Sequence, residues 1–298
     1  AGLQTIETLS DHLTELADII VQETLPLCWG AIRKQHCATP KFAVIGYGKL
    51  GGKELGYVSD LDLVYLYDDP DPDAEENYAR LGQRLNTWLS SQTSAGILFE
   101  TDLRLRPNGD SGLLAVSVDS FRDYQLDKAW VWEHQALTRA RFCAGDPAVG
   151  ARFEEIRREI LCRQRDLAKL KEEVVAMRRK MYDAHASKSE TLFDLKHDPG
   201  GIIDVEFIVQ YLVLGHAHQH QRLTGNLGNI ALLRIAAELR LIPADQAEAA
   251  GDAYREYRRL QHAKRLSANP KGYSERESIE KYIAAVNMLW TTVFGEKT

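Results

Sequence analysis

The sequence predicts an α+β protein, with a mixed sheet in its first half and a helical bundle in its second. Three observations carry this expectation. From Phe42 to Tyr67 two apolar runs are joined by a glycine-rich turn, the pattern of two strands with a tight loop between them. Residues 97–105 alternate apolar and polar side chains, as a half-buried strand does. Beyond residue 146 apolar residues recur at three- and four-residue spacing, which is the helical period. The expected divisions are an N-terminal helical segment over 1–37, a sheet-bearing core over 38–145 and a helical bundle over 146–298.

Taken in order, Ile6, Leu9, Leu13, Leu16, Ile19 and Ile20 predict an amphipathic helix from residue 5 to about 24, which Pro26 should end. The start without Met suggests a piece excised from a larger protein. Phe42 to Ile45 form the first strand, and Ser59-Asp60-Leu61-Asp62 opens the second. Alternate residues of an extended chain share a face, so Asp60 and Asp62 project together at the strand's start, shaped to hold a hard divalent cation. Such a pair also occurs as a plain solvated strand entry. Residues 68–73 are a turn, and Tyr78, Leu81, Leu85, Trp88 and Leu89 mark a helix that packs on the sheet.

In the third strand Phe99, Thr101, Leu103 and Leu105 fall on one face and Glu100, Asp102, Arg104 and Arg106 on the other. Residues 108–112 make a turn, after which the chain reads as mostly helical, with Tyr124, Trp130 and Trp132 as packing residues. Mixed Lys/Arg and Glu between 147 and 188 read as solvated helix faces rather than a nucleic-acid patch. An extended piece then ends at Pro199-Gly200-Gly201, and an apolar helix follows on which Glu206 and Gln210 share a face and Asp204 points elsewhere. His216 and His220 have zinc-compatible spacing but no companion ligand, so they read as solvated histidines. Three more helices follow, carrying Ile230 and Leu233, Tyr254 and Tyr257, and Ile279 to Val293, with breaks at Pro243 and 269–272.

Composition narrows the function. A formal net charge of −6 over 298 residues argues against a polymerase, whose grip on nucleic acid needs clustered cations. Four cysteines without Cys-x-x-Cys spacing, no signal peptide and no long apolar run predict a reduced, cytoplasmic protein without a membrane span.

The glycine turn followed by Asp-x-Asp matches the nucleotidyltransferase pattern of the DNA polymerase beta superfamily. The longer wording, GYGKLGGKELGYVSDLDLVYLYDD, LFETDLRLRPNGDSGLL, WEHQALTRAR and FDLKHDPGGIIDVEFIVQYLVL, resembles the bacterial glutamine synthetase adenylyltransferase family over about residues 40 to 215. Gly46-Tyr47-Gly48 and Trp132 to Gln135 resemble its C-terminal, adenylylating half more than its deadenylylating half. The resemblance implies a polymerase-beta-like nucleotidyltransferase core, ATP as substrate and Mg²⁺ as cofactor. It implies Asp60, Asp62 and Asp102 as catalytic metal ligands, with Asp102 also helping to deprotonate the attacking hydroxyl. Gly48, Lys49, Gly51, Gly52, Ser59, Arg104, Arg106 and Lys196 would contact the nucleotide, although Arg104 and Arg106 suit acidic neighbours equally, and Lys196 suits a salt bridge. The implied reaction moves AMP from ATP to a tyrosine hydroxyl of glutamine synthetase and releases diphosphate, with the nitrogen-signalling PII protein as a further partner and neither nucleic acid nor membrane involved. The alternatives are transfer to a small-molecule hydroxyl, the phosphorolytic half of the same family, and a silent nucleotide-binding regulatory module, against which the intact aspartates count.

Overall fold

The structure, a computed structural model, describes residues 4–185, 187, 189–267 and 272–295. It divides into two compact units, Ala1–Ile160 and Leu161–Thr298.

The first unit opens with α1 (Ile6–Gly30), capped by Thr5, whose side chain accepts the Thr8 N–H. Pro26 lies inside this helix and does not end it. The ring removes one N–H, yet Cys28 and Trp29 beyond it are buried in the core, and Trp29 stacks on Tyr78 with ring centroids 5.6 Å apart. Packing outweighs the lost bond. The buried face is only partly the one expected, with Ile6 buried and Leu13 and Ile20 packed against the core. Ala17, Val21 and Cys28 face the core, while Leu16 and Ile19 are each 52% exposed.

Strand β1 (Phe42–Gly46) leads into a single helical turn, α2 (Gly48–Gly51), and then β2 (Leu61–Tyr67). Helix α3 (Ala74–Ser90) follows and buries Tyr78, Leu81, Leu85 and Leu89. Strand β3 is only Thr101–Asp102, a correction to the strand expected over 97–105. Asp102 accepts the Arg104 N–H at 2.9 Å and Arg106 N–H donates to Leu103 O at 3.3 Å, so the backbone turns where the alternation continues. The sheet continues beyond it, contrary to the helical reading. Strand β4 (Ala115–Ser117) precedes α4 (Val118–Asp127) and α5 (Val131–Leu137), and β5 (Arg141–Gly145) precedes α6 (Pro147–Leu161).

Strand order is β3-β2-β1-β5, with β4 also on β2. β1 runs antiparallel to β2 and β5, and β2 runs parallel to β3 and β4, so the sheet is mixed. Both faces are covered, which is why β1 reads as an unbroken apolar run. Phe42, Val44, Leu63 and Tyr65 pack beneath α1 and α3. Ala43, Ile45, Val64 and Leu66 pack with Phe121 of α4 and with Val149, Phe153 and Ile156 of α6. Helix α6, which the sequence reading placed with the bundle, therefore contributes its apolar face to the sheet. The tryptophans expected in the core are not there, since Trp130 is 70% exposed and Trp132 is also exposed.

The second unit holds α7 (Leu167–His185), β6 (Leu192–Asp194), α8 (Ile202–His216), α9 (Asn229–Glu238), α10 (Ala244–Arg265), β7 (Tyr273–Glu275) and α11 (Arg276–Phe294). β6 and β7 form an antiparallel pair that the helical reading did not anticipate. Residues 269–271 of the expected break lie outside the described residues. Arg178 of α7 is buried, as is its partner Asp204, so this part of the charged stretch is not a solvated face. Asp204 also accepts the Gly200 N–H at 2.6 Å, and Arg178 donates to His197 O at 2.8 Å. This network fixes the turn that starts α8. His216 ends α8 and, among the described residues, belongs to no cluster with metal-ligand spacing.

Candidate active site

Three carboxylates meet at the end of the sheet where β1 leaves and β2 enters. Asp60 and Asp62 share a face because they are two apart on extended chain. The parallel register then sets Asp102 of β3 directly opposite Asp62, so two residues of β3 suffice to bring the third carboxylate in. One oxygen from each lies within 4.8 Å of the others, with Asp60 exposed and the other two half-buried. Burial, then the charges of Asp60 and Asp102, push the Asp62 carboxyl up to about 6. Lys49 and Arg139 pull in the opposite direction.

Asp102 moves the other way. Hydrogen bonds from Arg104 hold its carboxyl below the usual range, with Arg104 Nε at 3.0 and 2.9 Å from the two oxygens. Arg104 is thus the counter-ion of Asp102, and its side chain is 74% exposed.

The glycine turn lies against these acids. Gly48 has φ 55°, and a Cβ there would sit 2.2 Å from Asp62 Oδ2, so both conformation and space require glycine. A Cβ on Gly51 would lie 2.0 Å from Arg139 O, and one on Gly52 would lie 2.9 Å from Arg139 Nε. The N–H groups of Gly51 and Gly52 donate to Tyr47 O and Gly48 O at 2.9 and 3.0 Å. These two glycines therefore supply close approach rather than donors. Lys49 is half-buried in the same turn. Ser59 is buried, and its Oγ accepts the Gly56 N–H at 3.2 Å, closing the loop that leads to Asp60.

Arg106 directs its guanidinium to backbone carbonyls, those of Leu103, Asp110 and Gly112 at 2.8, 3.0 and 3.3 Å, and so braces the 104–112 turn. Lys196 belongs to the second unit, where it is exposed on the turn after β6 and its N–H donates to Asp194 at 2.8 Å. The salt bridge of that motif is made by Asp204 instead.

Sequence reasoning missed Arg139 and Glu54. Arg139 donates to Glu54 Oε2 at 2.7 Å, with both side chains buried. Glu54 N–H donates to Lys49 O at 2.8 Å, so the pair ties the segment before β5 to the glycine turn. The signal was present in GGKEL and LTRAR, but nothing in spacing links residues 85 apart. Glu133 and His134 prove structural. Glu133 accepts from Tyr124 OH and Trp130 N–H, both at 2.8 Å, and His134 Nε2 lies 2.9 Å from Gln125 O.

Comparison with known proteins was consistent along the chain. A family model for glutamate-ammonia ligase adenylyltransferase matches residues 1–156, and one for the GlnD PII-uridylyltransferase matches residues 167–271. Among curated proteins, the bifunctional glutamine synthetase adenylyltransferase/adenylyl-removing enzyme of Aromatoleum aromaticum is 64% identical over 99% of this chain and 31% of its own length. Those of Nitrosomonas eutropha and Chromobacterium violaceum are 58% and 55% identical, each over 99% of this chain and 33% of their own length. The chain thus spans about a third of the relatives it matches. Because the matched region takes in more than half of the chain and all three carboxylates, the chain belongs to the glutamate-ammonia ligase adenylyltransferase family.

Proposed function

We propose that this chain is a polymerase-beta-like nucleotidyltransferase that moves AMP from ATP to a tyrosine hydroxyl of glutamine synthetase and releases diphosphate. The observation that carries the proposal is the convergence of Asp60, Asp62 and Asp102 beside a glycine turn in which Gly48 approaches Asp62 too closely for any side chain. The family and the names of the relatives support the acceptor.

The donor set fits Mg²⁺. It consists of three hard carboxylate oxygens that lie within 4.8 Å of one another. Asp60, Asp62 and Asp102 would hold the ion, which supplies charge neutralisation at the α-phosphoryl oxygens. The protein's own part is positional. Gly48 keeps the backbone clear of Asp62. Lys49, close enough to act on Asp62, places a cation beside the transferring phosphate. Arg104, exposed on its carboxylate, can turn its fork to the departing diphosphate. Asp102, kept ionised by Arg104, is the carboxylate suited to accept the phenol proton, since a hydroxyl with pKa near 10 is a poor nucleophile at neutral pH.

Incubation with labelled ATP, Mg²⁺ and glutamine synthetase should label the synthetase, and Asp60→Asn should abolish labelling with the fold retained. Labelling that survives in the variant would remove Asp60 from the site, and labelling of small hydroxyl compounds instead would remove the acceptor. The likeness of residues 167–271 to PII-uridylyltransferase supports the second unit as the place where PII would bind, and co-elution of PII with this chain on gel filtration tests it.

A further inference from the structure

We propose that the groove between the end of α1 and α3 is a second anion site, built for a nucleoside phosphate. The groove has a volume of about 660 Å³ and is lined by Arg33, Arg80, Gln83, Arg84, Thr87 and Trp88 among others. None of the three carboxylates borders it. Five of these six residues lie on α3 at positions 80, 83, 84, 87 and 88, the spacing of a single helical face. Arg33, just past the end of α1, forms the opposing wall.

Charge sets this groove apart from the rest of the chain. The protein carries a formal net charge of −6, yet three guanidiniums gather here. Only Arg80 has an acidic neighbour, Glu76. Arg33 and Arg84 have no acidic or hydrogen-bonding partner among the described residues. Arg84 is half-buried, and its charge reaches the buried Cys28 thiol, where it opposes the upward push of burial. Arg33 and Arg84 thus border the groove without an acidic neighbour among the described residues, and an anion there would complete them.

The shape and chemistry of the walls select the class of anion. Paired guanidinium forks suit phosphate oxygens. Trp88, 43% exposed, offers a flat apolar face for a base to stack on. Gln83 and Thr87 add amide and hydroxyl groups between the two. The volume falls in the range of pockets that take small organic ligands, about 300–1,000 Å³. A mononucleotide carries both features, a phosphate and a planar ring.

The test is hydrogen–deuterium exchange on this chain with AMP, ADP, inorganic diphosphate or a poly-glutamate peptide added singly, without Mg²⁺. ADP and AMP should slow exchange of amides in residues 31–33 and 80–88. Arg33→Gln/Arg84→Gln should weaken that protection about tenfold or more in ligand concentration, the size expected for charge-assisted bonds, while leaving any protection of residues 46–62 unchanged. Trp88→Ala should weaken ADP protection, and Trp88→Phe should restore it. An unaltered melting temperature in these surface variants separates loss of binding from loss of fold. No protection of 80–88 at millimolar nucleotide would overturn the proposal. Equal protection by diphosphate, insensitive to Trp88, would overturn the nucleoside part, and protection by poly-glutamate alone would mean that the groove receives an acidic protein segment instead.

Discussion

Ionised Asp62 sits half-buried between Asp60 and Asp102, and that arrangement lowers the stability of the metal-free protein. The sign follows from its carboxyl being raised from 3.8 to about 6. Between those values the folded chain keeps a proton that the unfolded chain has lost, so stability falls as pH rises through the window, and the penalty is fully present above it. Asp62→Asn keeps the size and removes the charge. It should raise the unfolding free energy at pH 7 in metal-free buffer by roughly 1–3 kcal/mol, change it little at pH 4, and abolish transfer. Denaturant titrations at the two pH values check this, and an equal effect at both would sink the repulsion account. Arg139 and Glu54 make a different case, since they form a buried pair with mutual compensation. Removing one partner strands the other, so Glu54→Ala should cost about 3–5 kcal/mol. The double change Glu54→Leu/Arg139→Met should cost less than either single one, which a double-mutant cycle measures directly.

At the scale of elements, the turn α2 is where conformation and chemistry are coupled most closely. Gly48→Ala must place a methyl 2.2 Å from Asp62 Oδ2 at a φ of 55°, so either the turn or the carboxylate moves. Transfer should fall by at least about a hundredfold, a 1 Å displacement being enough for that, while far-UV circular dichroism stays unchanged. Activity near that of the unaltered chain would show that the turn adapts. The same coupling made this region legible beforehand. Two apolar runs, a glycine turn and Asp-x-Asp are all local, so β1, β2 and the carboxylate pair could be read from neighbouring residues. What could not be read depends on distant partners. β4 and β5 are three and five residues long, and their apolar runs have no period that separates a buried strand from a helix. β3 ends early because Asp102 turns to its neighbour Arg104. Pro26 stays in a helix because Trp29, three residues further on, finds Tyr78. Exposed Trp130 defied the apolar-inside rule, which holds for populations and not for single side chains.

At the scale of the whole chain, a glycine turn leading into Ser-Asp-x-Asp occurs once, whereas the relatives are named for two opposed activities and are about three times as long. One site argues for one principal direction, and the wording around Gly48 and Trp132 resembles the adenylylating half. The chemistry forbids neither direction, because diphosphate and orthophosphate both offer oxygen nucleophiles to an α-phosphorus. Direction therefore depends on which anion the pocket holds best. Arg106 is committed to the carbonyls of its own turn, whereas Lys49 acts on Asp62 and Arg104 on Asp102, and two cations suit diphosphate better than a single orthophosphate. The expected outcome is rapid release of diphosphate from ATP in the presence of unmodified glutamine synthetase, and ADP formation from adenylylated synthetase and orthophosphate that is slower by about a hundredfold or more, close to 3 kcal/mol in barrier height. Arg104→Ala should narrow that gap by slowing the forward reaction alone. Fast ADP release by this chain would overturn the direction while leaving the carboxylate site standing, since the same three aspartates serve the transfer whichever way it runs.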